Sequence, residues 1–165
     1  MKLRQSVPAV LFLTIGLVGG ASAADAVVQF DGGIGVDPVA GINVTTSLPI
    51  RNDVLGVPPG GRPWVIRKLK ASFYPDGTAN VRGQGLLFSG GDAIGTRGSI
   101  TQVRATLFCG GIAYDTPPMA LDPNGNFSFR GQLSMFPPAP CIQPVLLVRS
   151  LAGNWFAAGI PGTED

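Results

Sequence analysis

The chain has 165 residues, with 12 basic and 10 acidic side chains, no His and two Cys. Without His, a Ser–His or Cys–His nucleophile pair is excluded and a zinc site has no ligands to draw on. A single Glu, at position 164, and few Lys remove the usual residues of exposed helix faces, while 24 Gly and 15 Pro cut the chain into short segments between turns. An all-β fold is the expectation.

The N-terminus reads as a secretory signal. Lys2 and Arg4 form a positive start, Val7 to Val18 is apolar apart from three interruptions, and Gly19-Gly20-Ala21-Ser22-Ala23 supplies the small residues a signal peptidase accepts. The alternative, an uncleaved anchor, wants about 20 apolar residues, and this stretch is shorter. Cleavage after Ala23 leaves residues 24–165, 142 in all, as a single β-sandwich domain. It also removes Lys2 and Arg4, so ten basic residues face ten acidic ones. That balance lacks the basic face of a nucleic-acid partner and gives no electrostatic hold on a membrane beyond the signal peptide. A secreted protein, extracellular or periplasmic, follows, and in such a compartment pairing of Cys109 with Cys141 is the default. The alternative is a reactive thiol, for which no His is present as activator.

Residues 24 to 62 give a weak pattern. Val27 to Phe30 reads as a short strand, Ile42 to Ile50 has strand-like composition, and Val57-Pro58-Pro59-Gly60-Gly61 is a loop. Trp64 to Tyr74 then reads as a long strand with Val65, Leu69, Ala71 and Phe73 on one face, and Arg67 breaks that face, marking a bend or a strand end. Pro75-Asp76-Gly77 is a turn, returning through Thr78 to Phe88 as the second arm of a hairpin.

A Gly-rich loop spans residues 89 to 98. Gln102 to Cys109 alternates cleanly, Val103, Ala105, Leu107 and Cys109 against Arg104 and Thr106. Asn126 to Ser134 alternates as well, with Phe127, Phe129 and Leu133 inward. Val145 to Val148 is a buried strand, and Trp155 to Ile160 the last one. Short strands with a turn every ten residues or so predict an antiparallel β-sandwich.

Laying residues 73–88 over 121–136 matches six of sixteen positions, including Pro, Gly, the Arg-Gly-Gln run and a final Phe. This is either one turn used twice, an internal duplication, or two equivalent binding edges bearing Arg82/Gln84 and Arg130/Gln132.

Residues 103 to 150 resemble the immunoglobulin-like modules of the transthyretin-like, carboxypeptidase-regulatory-like and pollen Ole e 1-like groups. The resemblance rests on VRATLFC, on LDPNGNFSF, and on Cys141 followed by PVLLVRS. It implies an immunoglobulin-/transthyretin-like sandwich with the Cys109–Cys141 bridge across it, and no activity.

Candidate sites are few. Asp92, Thr96 and Arg97 share the Gly-rich loop, whose backbone N–H groups can approach a polar or anionic ligand; loop flexibility explains the glycines equally well. Trp64 and Tyr74, with Tyr114 and Trp155, offer rings for stacking a sugar or partner, or else close the ends of the core. Calcium has oxygen donors at Asp92 or at Asp122, Asn124 and Asn126, with an Asx-stabilised turn as the plainer reading. No cofactor and no resident metal are expected. The leading reading is a secreted, non-catalytic binding or interaction module of unknown ligand or protein partner. A surface-layer or matrix component assembling through strand edges is the alternative, and a small hydrolase or lyase using Asp92 the third.

Overall fold

The structure, a computed structural model, describes residues 25–162. The signal-peptide reading of residues 1–23 and the cleavage point lie outside the described residues. Within them the fold is all-β, sandwich-like and antiparallel, with no helix.

Strands are numbered in chain order. One curled sheet runs, in spatial order, β10 (Met119–Ala120), β8 (Gln102–Cys109), β12 (Val145–Arg149), β13 (Trp155–Pro161), β1 (Val28–Gly35), β5 (Lys68–Phe73), β6 (Thr78–Gln84) and β11 (Phe127–Gln132). Strand β9 (Ile112–Asp115) adds to β8 beside β10. Two short pairs complete the chain. They are the hairpin β2 (Val39–Ile42)/β3 (Pro49–Arg51) and the pair β4 (Trp64–Val65)/β7 (Leu87–Phe88).

The sheet folds over along β1, where its pairing with β13 slips between Phe30 and Gly33. A bulge there increases local twist and bend. The two halves then close on each other. Val103, Ala105, Leu107, Leu146, Val148 and Ala157 come from one half, Leu69, Ala71, Phe73, Ala79, Val81 and Phe127 from the other, all buried in a single cluster. Phe30, at the fold line, meets Phe73 edge to face at 6.4 Å.

The two ends of this sheet, β10 and β11, are consecutive in sequence, and the turn at residues 121–126 joins them. That turn is bonded to both flanks. Leu121 N–H donates to Thr101 O at 2.8 Å, and Leu86 N–H to Gly125 O at 2.9 Å. Gly125 has φ +75° and a Cβ there would lie 2.5 Å from Leu86 backbone atoms, so both conformation and space demand glycine.

The two similar segments lie side by side. β6 and β11 pair antiparallel, with Val81 opposite Phe129, Arg82 opposite Ser128 and Asn80 opposite Arg130. Val81 and Phe129 are equivalent in the alignment, as are Arg82 and Arg130, and Asn80 and Ser128, so a local pseudo-twofold axis passes through the Val81–Phe129 pair. The turns match too. Tyr74 N–H donates to Thr78 O and Gly77 N–H to Tyr74 O, while Asp122 N–H donates to Asn126 O and Gly125 N–H to Asp122 O. Each turn also receives the other arm, through Leu133 N–H to Gly77 O and Leu86 N–H to Gly125 O.

Several expectations are refined. Ile42 to Ile50 is the tip of a hairpin, because Asn43 Oδ1 accepts from the N–H of Thr45 and Thr46 and turns the chain. The break at Arg67 is present and reverses the inward parity: Trp64 and Ile66 are buried before it, Leu69, Ala71 and Phe73 after it, and Val65 is exposed. Phe129 is half-buried, while Phe127 and Leu133 are buried. Cys109 and Cys141 form a disulfide with Cα atoms 5.0 Å apart, tying the end of β8 to the segment before β12.

Candidate functional site

The Gly-rich loop is closed by its own bonds. Thr96 O accepts from Phe88 N–H, Phe88 O from Gly95 N–H, and the Thr96 hydroxyl donates to Ala93 O while accepting from Gly98 N–H. Thr96 therefore fastens the loop to β7. Arg97 turns away from Asp92 and donates from Nη1 to Ile100 O, with the Asp122 carboxylate as its charged neighbour. Asp92 is exposed, and no hydrogen bond or ion pair among the described residues engages it. Asp92 and Arg97 are thus not brought together.

Asp122 serves its own turn. Its Oδ1 accepts from the N–H of Asn124 and Asn126, and its Oδ2 from Asn126 Nδ2. Those bonds, the Asn126 backbone one first, hold its carboxyl below the usual carboxylate range.

The aromatic residues divide. Trp155 is buried and its Nε1 donates to Asn52 O at 2.9 Å, and Tyr114 is buried too, so both close the core. Tyr74 is half-buried and follows β5. Trp64 is 3% exposed and lies between two rings, stacked on Phe156 at 4.3 Å and tilted to Phe88 at 4.3 Å.

This ring stack floors a cleft of about 410 Å³ at one end of the sandwich. Three loops converge on it. They are Gly60 to Pro63 ahead of β4, Ser99 and Ile100 after the Gly-rich loop, and Ser150 to Asn154 between β12 and β13. Arg62 stands at the rim with its guanidinium carbon 5.5 Å from the Phe88 ring centre, within cation–π range. Ser150 is buried, and its hydroxyl accepts from Asn154 N–H.

The lining holds an apolar floor, one guanidinium, hydroxyls and an amide, with no carboxylate, Lys or Cys. The hydroxyls of Ser99 and Ser150 have no carboxylate or Lys beside them in the lining to act as base, and the arrangement fits a ligand with a flat apolar body and an anionic or hydrogen-bonding substituent. Of the residues singled out from sequence, Trp64 alone belongs to this cleft. Arg62, Phe88 and Phe156 were missed, and the one available signal was Arg62 in the Gly-Gly-Arg-Pro-Trp run next to Trp64.

Fold and cleft together define a disulfide-bridged all-β protein with a loop-end cleft. No family model matches the chain, and no curated protein or solved structure matches it.

Proposed function

We propose that the chain is a secreted, non-catalytic binding module that takes a small ligand in the loop-end cleft. The supporting observation is the cleft's composition, with the Trp64–Phe88–Phe156 stack below, Arg62 above, and no acid–base side chain in the lining. The Cys109–Cys141 bridge is compatible with an extracellular or periplasmic site. The transthyretin-like and Ole e 1-like resemblance of residues 103–150 agrees with a module that binds or connects. A hydrolase or lyase centred on Asp92 draws no support from the geometry, since no hydrogen bond or ion pair among the described residues engages it.

Anilinonaphthalene sulfonate, a flat aromatic anion, is a suitable probe. Its fluorescence rises on saturable, one-site binding to the folded protein, and Arg62→Gln weakens that binding severalfold at unchanged thermal stability. Unsaturable binding, or equal binding by the variant, refutes the cleft as the site.

A second reading, assembly through strand edges, rests on the β2–β3 hairpin. Val39, Ile42, Val44, Leu48 and Ile50 are all exposed there, Val44 at 96%, and among the described residues each of its strands pairs only with the other. Apolar side chains beside unpaired edges are a template for association. This reading predicts a concentration-dependent oligomer in light scattering that Leu48→Ser dissolves; a monomer at all concentrations removes it.

A further inference from the structure

The outer face of β1, β5, β6 and β11 shares no residue with the aromatic cleft and has a different chemistry. Residues opposite each other across a sheet project from the same face, so the registers build the face directly. One row runs Gln29, Ser72, Asn80, Arg130. The next runs Asp31, Lys70, Arg82, Ser128, and Lys68 lies beside Gln84 below it. Neighbouring strands are about 4.8 Å apart and like-facing residues on one strand about 6.8 Å. The result is a grid of hydroxyls and amides holding four cations.

The charges do not cancel. Asp31 is the one carboxylate in these rows, and it is occupied by Lys70 Nζ at 2.9 Å. Asp76 and Asp122 lie outside the rows, in the flanking turns, where they accept N–H bonds from Thr78 and from Asn124 and Asn126; within the rows four cations face one carboxylate. Lys68, Arg82 and Arg130 form no ion pair among the described residues. In a chain whose basic and acidic residues nearly balance, four strands thus concentrate a net positive face.

The pseudo-twofold axis gives that face its spacing. Arg82 and Arg130 are its equivalent residues and sit on a diagonal, about 7–8 Å apart at their roots, each beside a small polar neighbour, Ser128 or Asn80. Two guanidinium forks in matched surroundings suit a ligand that repeats a carboxylate, since each fork binds one in bidentate fashion. The hydroxyl and amide rows suit a ligand whose remaining surface is hydroxyls. Beside Arg82 the face opens into a groove of about 480 Å³ bordered by Gln84, Asp122 and Ser128. Single-stranded nucleic acid requires rings for base stacking, and neither of the two rows carries one.

The geometry points to this face as a binding surface for a linear acidic polysaccharide, with Arg82 and Arg130 each holding one carboxylate of the repeat and the polar rows bonding sugar hydroxyls.

The test is calorimetric titration at low salt with polygalacturonate, with dextran and single-stranded DNA as comparison polymers. The expected result is binding of polygalacturonate, none of dextran, weaker binding of DNA, and loss of affinity as salt is raised. Arg82→Gln and Arg130→Gln each weaken binding about fivefold to tenfold, equally for the two, and the double variant by roughly the product. Both side chains are exposed and their truncation leaves no core gap, so circular dichroism and thermal stability stay at wild-type values. Arg51→Gln, on the β2–β3 hairpin, leaves affinity unchanged. The proposal is overturned by an absence of polygalacturonate binding, by a double variant that binds as the wild type does, or by an equal loss in Arg51→Gln. Tighter binding of DNA than of polygalacturonate overturns it in favour of a nucleic acid.

Discussion

Val81 and Phe129 face each other at the middle of the β6–β11 pair, and they are the equivalent residues of two copies of one turn-and-strand motif. The motif is therefore paired with itself. Each copy supplies a turn whose Gly carbonyl accepts from the far arm of the other, Leu133 N–H to Gly77 O and Leu86 N–H to Gly125 O. The exchange is offset by one residue because Gly85, at φ +68°, adds a bulge to one arm only. That same arm continues into β7 and carries Phe88 to the aromatic cleft.

Equivalent glycines in the two copies do unequal work, which gives a first prediction. A Cβ on Gly83 would lie 2.0 Å from Cζ of Phe127, a buried ring with no room to retreat. On Gly131 it would meet the half-buried Phe129 ring at 3.2 Å. Gly83→Ala is expected to destabilise by about 1–3 kcal/mol through overpacking. Gly131→Ala is expected to lie within about 0.5 kcal/mol of wild type, since a partly exposed ring can shift. Urea denaturation of the two variants checks the contrast, and equal losses would contradict it.

The disulfide gives a second. Cys109 and Cys141 close a separation of 32 residues, so the chain-entropy relation assigns the bridge about 3.5–4 kcal/mol. The paired Cys109→Ser/Cys141→Ser variant should show that loss in denaturant while keeping its far-ultraviolet spectrum. An unchanged midpoint would mean that β8 and β12, already hydrogen-bonded along five residue pairs, restrain the loop unaided.

Asp122 gives a third, a dependence on pH. Its folded-state carboxyl is held below the ordinary range chiefly by the Asn126 backbone N–H, with help from Asn124 and the Arg97 charge. A depressed folded value means that the ionised form stabilises the fold. The contribution is full above the unfolded carboxylate value, near pH 4, and is lost as pH falls through the folded value. Thermal melts between pH 7 and 2 should therefore fall in the acid limb, and Asp122→Asn should flatten that limb while lowering the melting temperature at neutral pH. A variant with the wild-type acid limb would assign the dependence to other carboxylates.

Much of this fold is legible in the sequence, for identifiable reasons. β8, β11, β12 and β13 alternate or run apolar between strong turn residues, so periodicity and punctuation agree. The path from Asp25 to Arg62 is less legible because its β2–β3 hairpin is exposed on both faces, so no buried side imposes a period of two. β9 and β10 are hidden by Pro117-Pro118, which separates two very short edge segments. The site is less legible still. Arg62, Phe88 and Phe156 belong to three distant loops and strands that meet only after the sheet curls. Arg97 donates to Ile100 O and has Asp122, 25 residues on, as its charged neighbour, instead of meeting Asp92 in its own loop.

Thr106 is the position where alternation misleads, and it carries the last prediction. Its parity puts it on the outer face with Arg104, yet it is fully buried, because charged side chains close over it. Its hydroxyl donates to Asp115 Oδ1 at 2.5 Å and accepts from Arg149 Nη1 at 3.3 Å, while Arg104 reaches the other Asp115 oxygen at 3.2 Å. The hydroxyl is the one group in this knot that both donates and accepts. Thr106→Val keeps the volume and removes both bonds, leaving Arg149 and Asp115 to find other partners, at about 1–3 kcal/mol. Thr106→Ser keeps the bonds and loses a methyl, at about 1 kcal/mol. Denaturant midpoints that rank wild type, Ser, then Val support the knot as a polar fastening of β8, β9 and β12. A Val variant as stable as wild type would mean that Arg104 and Asp115, each about a third exposed, satisfy themselves in water and that Thr106 contributes only its bulk.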